Sequence, residues 1–130
     1  MIGLVLVAHA GLACEFLAAA EMIVGKMELV EAVGISPNDT VEQIRENVTA
    51  AIKRVSADGV IIMTDMFGGT PSNMSLSFLK ENVVEVLTGV NLPMLLKFSA
   101  ERGKAGVADL ARVLKGCGQE SISVAGDFLK

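Results

Sequence analysis

The chain contains one histidine, His9, which directly follows the apolar residues 2–8. Seven residues of this kind are typical of a fully buried parallel strand. Open α/β sheets bind their ligands at the carboxyl ends of such strands. An imidazole at that position can act as a base, a metal ligand or a phosphoryl carrier, whereas the alternative is a histidine that is satisfied by hydrogen bonds in the core.

A carboxylate occupies the equivalent position on another predicted strand. Asp65 directly follows residues 59–64, which also have the pattern of a buried strand. If the strand order is the common 2-1-3-4, these two strands are neighbours about 4.8 Å apart. The Asp65 carboxylate can then accept a proton from one nitrogen of His9 and leave the other free as a nucleophile. The alternative is that Asp65 only caps a helix or forms a turn.

A short glycine-rich loop follows Asp65. Gly68 and Gly69 give backbone freedom, Thr70 adds a hydroxyl, and Pro71 has a φ suited to the start of a helix. Backbone amides and the Thr70 hydroxyl in such a loop can face an anion. The alternative is a tight connection between a strand and a helix. The chain has neither the P-loop signature nor the dinucleotide fingerprint, so nucleotide binding lacks support.

Strands and helices alternate in the pattern of a doubly wound fold. The predicted strands are residues 2–8, 29–33, 59–64 and 83–88, with a final short strand at 121–125. The predicted helices are residues 12–24, 40–55, 72–80 and 107–114, with another that Pro93 opens. Because crossovers between parallel strands are right-handed, the sequence predicts a three-layer α/β/α domain with a four-stranded parallel sheet in the order 2-1-3-4. Residues 1–130 are expected to form one domain.

Composition excludes several classes of function. The net charge is −4, and the chain has no Trp or Tyr, so nucleic acid is not expected as a partner. No apolar stretch approaches the roughly 20 residues of a membrane span, and the N-terminus lacks the basic region of a secretory signal. We therefore expect a cytoplasmic location and no membrane insertion. Cys14 and Cys117 indicate neither a disulfide framework nor a metal site, and both are expected to be small buried side chains.

Two longer motifs carry a family resemblance. Residues 64–73 (TDMFGGTPSN) and 88–94 (TGVNLPM), with the early histidine and residues 20–23 (AEMI), resemble the enzyme IIA domain of mannose-family sugar phosphotransferase systems. The match spans most of the chain. It implies a phosphotransferase component in which His9 accepts a phosphoryl group from the phosphocarrier HPr and passes it to an enzyme IIB. Neither a cofactor nor a metal is implied.

The resemblance also implies roles for individual residues. His9 attacks through Nε2, Asp65 orients the other ring nitrogen, and the Thr70 hydroxyl contacts the phosphoryl oxygens. Backbone amides supply the remaining contacts, at Gly11, Gly68 and Gly69. A phosphohistidine must also be protected from water, which predicts an apolar rim around His9 for docking partners, formed by Met22, Met66, Phe67 and Pro71; the alternative is that each of these side chains belongs to the core. Ala10 departs from the family pattern, which usually has glycine there, so its Cβ is expected to crowd the pocket or to restrict the backbone.

Family members are homodimers that exchange a C-terminal strand, a role that residues 121–125 would fill. Two other functions stay open at this stage. One is a phosphoryl donor subunit for a dihydroxyacetone kinase, which would use the same histidine with a different acceptor. The other is a stand-alone regulatory phosphoprotein, because these 130 residues include no enzyme IIB domain.

Overall fold

The computed structural model describes residues 1–66 and 68–129 as an alternating α/β chain. Its four strands are β1 (Gly3–His9), β2 (Val30–Ile35), β3 (Val60–Thr64) and β4 (Val84–Thr88). Its five α-helices are α1 (Leu12–Val24), α2 (Val41–Val55), α3 (Thr70–Leu76), α4 (Leu92–Glu101) and α5 (Val107–Glu120). A short 3₁₀ helix follows at Ala125–Leu129. The predicted bounds of α1 agree with the structure, and those of the four strands differ by one or two residues.

The four strands form one parallel sheet in the order β2-β1-β3-β4, which confirms the predicted topology. β1 lies between β2 and β3, with His9 opposite Ile35 and Val7 opposite Thr64. β3 also pairs with β4, where Thr64 lies opposite Thr88. The carboxyl ends of β1 and β3 are therefore adjacent, at the point where the chain switches direction across the sheet.

Two hydrophobic layers cover the sheet, because successive strand residues point to opposite faces. Leu4 and Leu6 of β1 pack in the layer that includes α1, α4 and α5. Val5 and Val7 pack in the opposite layer, against α2 and α3. These strand residues are 0–1% exposed. Each fully buried side chain of this size contributes about 1.5–3 kcal/mol, so the centre of the sheet is a rigid platform for its carboxyl end.

A capping box begins α2. Asp39 and Glu42 have the residue types and spacing of such a box, but the pair that forms it is Thr40 and Gln43. The Thr40 hydroxyl accepts from the Gln43 amide at 3.1 Å, and the Gln43 side chain accepts from the Thr40 amide at 2.8 Å. This pair satisfies two amides at the helix start. The Asp39 carboxylate instead accepts a hydrogen bond from the Ser36 amide in the preceding turn.

The predicted final strand is wrong for the single chain. α5 continues to Glu120, and residues 122–124 then have no regular secondary structure. A strand needs a neighbouring edge to satisfy its backbone groups, and this segment does not pair with the sheet of its own chain. Helix α3 also starts earlier and ends earlier than the expected residues 72–80, because Thr70 and Pro71 already lie in its first turn.

A buried arginine is hydrogen-bonded to the backbone at the amino-terminal end of the sheet. Arg102 is 7% exposed, and its Nε and Nη2 donate to the carbonyl oxygen of Ile2 at 3.0 and 2.8 Å. The guanidinium also lies 4.7 Å from the centroid of the Phe98 ring. Burial lowers the pKa of Arg102, although nearby Glu28 acts in the opposite direction.

Among the described residues, no helix has the length and apolarity that a membrane crossing requires.

Candidate functional site

His9 and Asp65 form a direct hydrogen-bonded pair at the carboxyl ends of β1 and β3. His9 Nδ1 lies 2.7 Å from Asp65 Oδ2, and the same oxygen accepts from the His9 backbone amide at 3.0 Å. The His9 side chain is 50% exposed, whereas the Asp65 side chain is 11% exposed. The carboxylate thus fixes the orientation of the ring, and Nε2 is the nitrogen left for chemistry.

Asp65 is suited to remain ionised in this position. Partial burial acts to raise the pKa of Asp65, but the hydrogen bonds from the His9 amide and ring act against it. The Met66 amide adds a further hydrogen bond to Oδ1 at 3.0 Å. Together with the charge of His9, these bonds hold the pKa of Asp65 below its usual value. An ionised carboxylate can stabilise positive charge that develops on the ring.

The glycine loop packs directly against the free edge of the His9 ring. A Cβ added at Gly69 would lie 3.1 Å from His9 Cε1 and 3.7 Å from Nε2, so a larger residue would crowd the ring. Gly68 has a φ of +85°, which favours glycine. Thr70 begins α3 and is exposed beside the ring, in the same pocket. Its hydroxyl makes no hydrogen bond within the part of the chain that the structure describes.

Ala10 is held in a strained conformation immediately after His9. Its φ is +52°, in the left-handed region that β-carbon-bearing residues rarely adopt. The Ala10 amide donates to the Ile35 carbonyl at 2.9 Å. Gly34 makes room for this turn, because a Cβ there would lie 2.5 Å from the Ala10 carbonyl oxygen. The Cβ of Ala10 was expected to restrict the backbone, and the positive φ of this residue is the structural reason.

An open pocket of about 310 Å³ adjoins His9. Its lining includes Thr70 and, from the loop between β2 and α2, Ser36, Pro37 and Asp39. The motifs around His9 and Asp65 did not predict that this loop belongs to the site. Its position follows from the parallel topology, because β2 and β1 end at the same edge of the sheet. The polar turn sequence after β2 was the available signal.

The residues expected to form the docking rim differ in exposure. Pro71 is buried in the first turn of α3, so it adds little to an exposed rim. Met22 is 86% exposed, but it lies ten residues beyond the start of α1, or about 15 Å along a helix that runs away from His9. Met66 is 53% exposed, and its Cγ lies near the same Gly69 position as the ring. Phe67 lies outside the described residues.

The remaining expected residues have simpler outcomes. Gly11 is the N-cap of α1, two residues after His9, and does not line the pocket. Cys14 is exposed and Cys117 is partly exposed, so the expectation that both are buried is wrong. α1 turns its alanine positions, Ala13 and Ala20, to the core and leaves Cys14 on the outer face. No group of three possible metal-ligating side chains occurs in residues 1–66 and 68–129.

The arrangement can perform nucleophilic chemistry at Nε2. One ring nitrogen is oriented by a carboxylate, and the other faces a loop that supplies a hydroxyl and the first backbone amides of a helix. Those amides lack partners within the helix and can receive an anion. Such a set is able to hold a transferred phosphoryl group, because phosphoryl transfer depends chiefly on positioning and electrostatic stabilisation.

Comparison with known proteins agrees with this chemistry. A family model described as the PTS system fructose IIA component (EIIA-man) matches residues 3–115. The sorbose-specific EIIA component of Lacticaseibacillus casei is 32% identical over 108 residues, which cover 82% of this chain and 78% of that protein. The fructose-specific EIIA component of Bacillus subtilis is 29% identical over 132 residues, which cover 100% of this chain and 90% of that protein.

A solved structure shows the same fold. The crystal structure of the phosphotransferase system component EIIA from Streptococcus agalactiae superposes with a TM-score of 0.89, at 25% identity, covering 98% of this chain and 99% of that one. The family resemblance found in the sequence motifs is thereby confirmed. The family model spans the described site from His9 to Thr70, and the similar proteins are sugar-specific components of phosphotransferase systems. The chain therefore belongs to the EIIA-man family of phosphotransferase-system IIA components.

Proposed function

We propose that this protein is a phosphohistidine carrier in sugar uptake, with His9 as the residue that is transiently phosphorylated. The observation that carries the proposal is the 2.7 Å contact between His9 Nδ1 and Asp65 Oδ2. It selects the tautomer that keeps the proton on Nδ1 and leaves a lone pair on Nε2. By its family membership, the donor is the phosphocarrier HPr and the acceptor is an enzyme IIB.

In the proposed step, Nε2 of His9 attacks the phosphorus atom of a phosphohistidine on the donor. The N–P bond of the donor breaks as the new bond to Nε2 forms, and the donor ring leaves as neutral imidazole with the proton of its other nitrogen. His9 becomes positively charged because it retains the Nδ1 proton. The ionised Asp65 stabilises that charge, while Thr70 and the amides at Gly68 and Gly69 receive the phosphoryl oxygens.

Docking of both partners requires an accessible His9. The ring is half exposed, and its pocket opens at the carboxyl edge of the sheet. Met66 supplies exposed apolar surface beside it. A shallow site of this kind lets a second imidazole approach, while the docked partner excludes water from the reactive N–P bond. Transfer then takes place inside a transient complex.

We test the carrier role by incubating the protein with phosphoenolpyruvate, enzyme I and HPr and measuring its intact mass. The wild type should gain one acid-labile phosphoryl group, whereas His9→Ala should gain none and keep a wild-type circular dichroism spectrum. Omission of HPr should abolish the gain. Labelling of His9→Ala, or no labelling of folded wild type by cognate partners, would refute the proposal.

The acceptor is tested separately, by chasing the phosphorylated protein with candidate acceptors. Transfer to a histidine of an enzyme IIB is the expected result. Transfer instead to a dihydroxyacetone kinase and its bound nucleotide would leave the phosphohistidine intact as a finding but replace the acceptor. Failure of both transfers, with phosphorylation-dependent binding to another protein, would indicate the regulatory function.

We also propose a cytoplasmic homodimer in which the C-terminal segment of each chain pairs with the sheet of its partner. β4 lies at one edge of the sheet and is only half-buried along its whole length. The segment after α5 exposes large apolar side chains: Ile122 is 78% exposed, Val124 69%, Phe128 76% and Leu129 90%. An open strand edge and an unburied apolar segment are complementary. Sedimentation at micromolar concentration should show a dimer, and removal of residues 121–130 should give a monomer.

A further inference from the structure

The pocket beside His9 contains a carboxylate that the proposed transfer step does not use. Among the described residues that line this pocket, Asp39 is the one that carries a carboxylate. Its backbone amide donates to the Ser36 carbonyl at 3.1 Å, and its Oδ2 accepts from the Ser36 amide at 2.8 Å. These two bonds close the turn between β2 and α2 and hold the carboxylate in place.

The charge of Asp39 is not compensated by a nearby side chain. The ion pairs formed within residues 1–66 and 68–129 do not include it, and the residue is half-buried. Asp39 immediately precedes Thr40, the N-cap of α2, where the helix dipole favours a negative charge. The structure therefore places a carboxylate that forms no ion pair within the described residues in the lining of the pocket that His9 and Thr70 also line.

Asp39 lines the same pocket as His9, the residue that would carry the phosphoryl group. Asp65 occupies Nδ1, so Nε2 is the remaining nitrogen, and it lies on the edge of the ring near Gly69. A phosphoryl group on Nε2 brings up to two negative charges into the pocket that Asp39 lines. Repulsion acts on the phosphorylated form and is absent from the unphosphorylated form, so it changes their relative free energies.

We propose that Asp39 sets the phosphoryl-transfer potential of His9, by destabilising the phosphorylated state and so favouring onward transfer. The proposal rests on the proposed carrier function and adds a residue that tunes it. Asp39 is thereby distinguished from Asp65, which orients the ring and stabilises its positive charge. A docking role for Asp39 would alter the rates of transfer, but it would leave the equilibrium between donor and carrier unchanged.

The test measures an equilibrium constant. Purified phospho-HPr is mixed with the protein in the absence of phosphoenolpyruvate and enzyme I, and both phosphohistidines are quantified by ³¹P NMR. The equilibrium is approached from each side. Asp39→Asn removes the charge but retains an oxygen that can accept from the Ser36 amide. Asp39→Ser provides a second neutral acceptor if the asparagine variant does not fold.

Removal of the charge should shift the equilibrium toward phosphorylated His9 by about threefold to tenfold, the range for one or two charges acting across a solvent-open pocket. The shift should fall below about twofold in ~0.5 M salt, because ions screen exposed charges. Asp109→Asn is the matched control. Asp109 is likewise an acidic residue near a helix start, in the first turn of α5, but that turn lies beside Gly59 and Asn82 at the amino end of the sheet, so its replacement should change the constant by less than about 1.5-fold.

The possible outcomes separate this proposal from the one on which it rests. An unchanged equilibrium in Asp39→Asn, with altered rates, would overturn the proposal and assign Asp39 to partner docking. A salt-independent shift, or an equal shift in Asp109→Asn, would also overturn it. If wild-type His9 accepts no phosphoryl group, the carrier function itself fails and the role of Asp39 fails with it.

Discussion

Replacement of Asp65 by asparagine tests the link between the geometry of the site and its rate. The wild-type carboxylate is 11% exposed, and its Oδ2 lies 2.7 Å from His9 Nδ1. Asparagine has the same size and can still accept one hydrogen bond, but it lacks the charge that stabilises a positive ring. A hydrogen bond to a charged group contributes about 1.5–3 kcal/mol. If that energy is available only when the ring is charged, transfer should slow by about tenfold to 150-fold.

The assay is rapid-quench measurement of His9 phosphorylation over a series of phospho-HPr concentrations that reaches saturation. The maximal rate should fall, whereas the concentration of HPr at half-maximal rate should change little, because Asp65 is mostly buried and does not form the docking surface. Asp109→Asn again provides a charge-matched control. A decrease of less than about threefold in the maximal rate would refute the argument that Asp65 stabilises the charged ring. A change confined to the half-maximal concentration would refute it equally.

Four further predictions concern stability. The pKa of Asp65 is lowered in the folded protein, so ionised Asp65 contributes to the free energy of unfolding above about pH 4, and this contribution is lost as the pH falls through the lowered pKa. Between pH 7 and pH 3, Asp65→Asn should therefore lose less urea resistance than the wild type. Ala10→Gly should stabilise the fold by about 0.5–1 kcal/mol, since it relieves a φ of +52°, and a melting temperature below that of wild type would contradict this. Arg102→Met should cost about 2–4 kcal/mol in urea titration because it removes the bonds to Ile2, whereas the exposed Arg112→Met should cost less than ~0.5 kcal/mol. Thr64→Val should raise the unfolding free energy by about 1 kcal/mol, because the buried Thr64 hydroxyl has no hydrogen-bond partner within the described residues. A loss of stability in this variant would show that the hydroxyl forms a hydrogen bond in solution.

Local patterns in the sequence were sufficient to predict most elements and the central pair of the site. Residues 2–8 and 59–64 are continuous apolar runs, which is the pattern of strands covered on both faces. His9 and Asp65 directly follow those runs, so the parallel topology brings them together without further information. The loop from Gly68 to Thr70 was also predictable, because adjacent glycines before a helix start are a local pattern. In the structure Gly69 packs against the His9 ring, and Gly68 has a positive φ.

Other features depend on contacts between segments that are distant in the chain. The pocket wall at Asp39 belongs to the site only because β2 lies beside β1, and the sequence around Asp39 signals a turn rather than a binding residue. The exposure of Pro71 and Met22 and their distance from His9 depend on the direction and packing of α3 and α1. An apolar side chain has no local pattern that distinguishes a docking rim from a core position.

The C-terminal segment shows the difference between local preference and tertiary structure. Residues 121–125 have the β-forming composition of a strand, but a strand forms only where an edge is available for pairing. Within one chain the segment follows α5 and makes no such pairing. The sequence by itself determined the order of the elements, the buried face of each strand and the His9–Asp65 pair. The tertiary structure decided which loops surround that pair, because burial and electrostatic fields depend on distances in space.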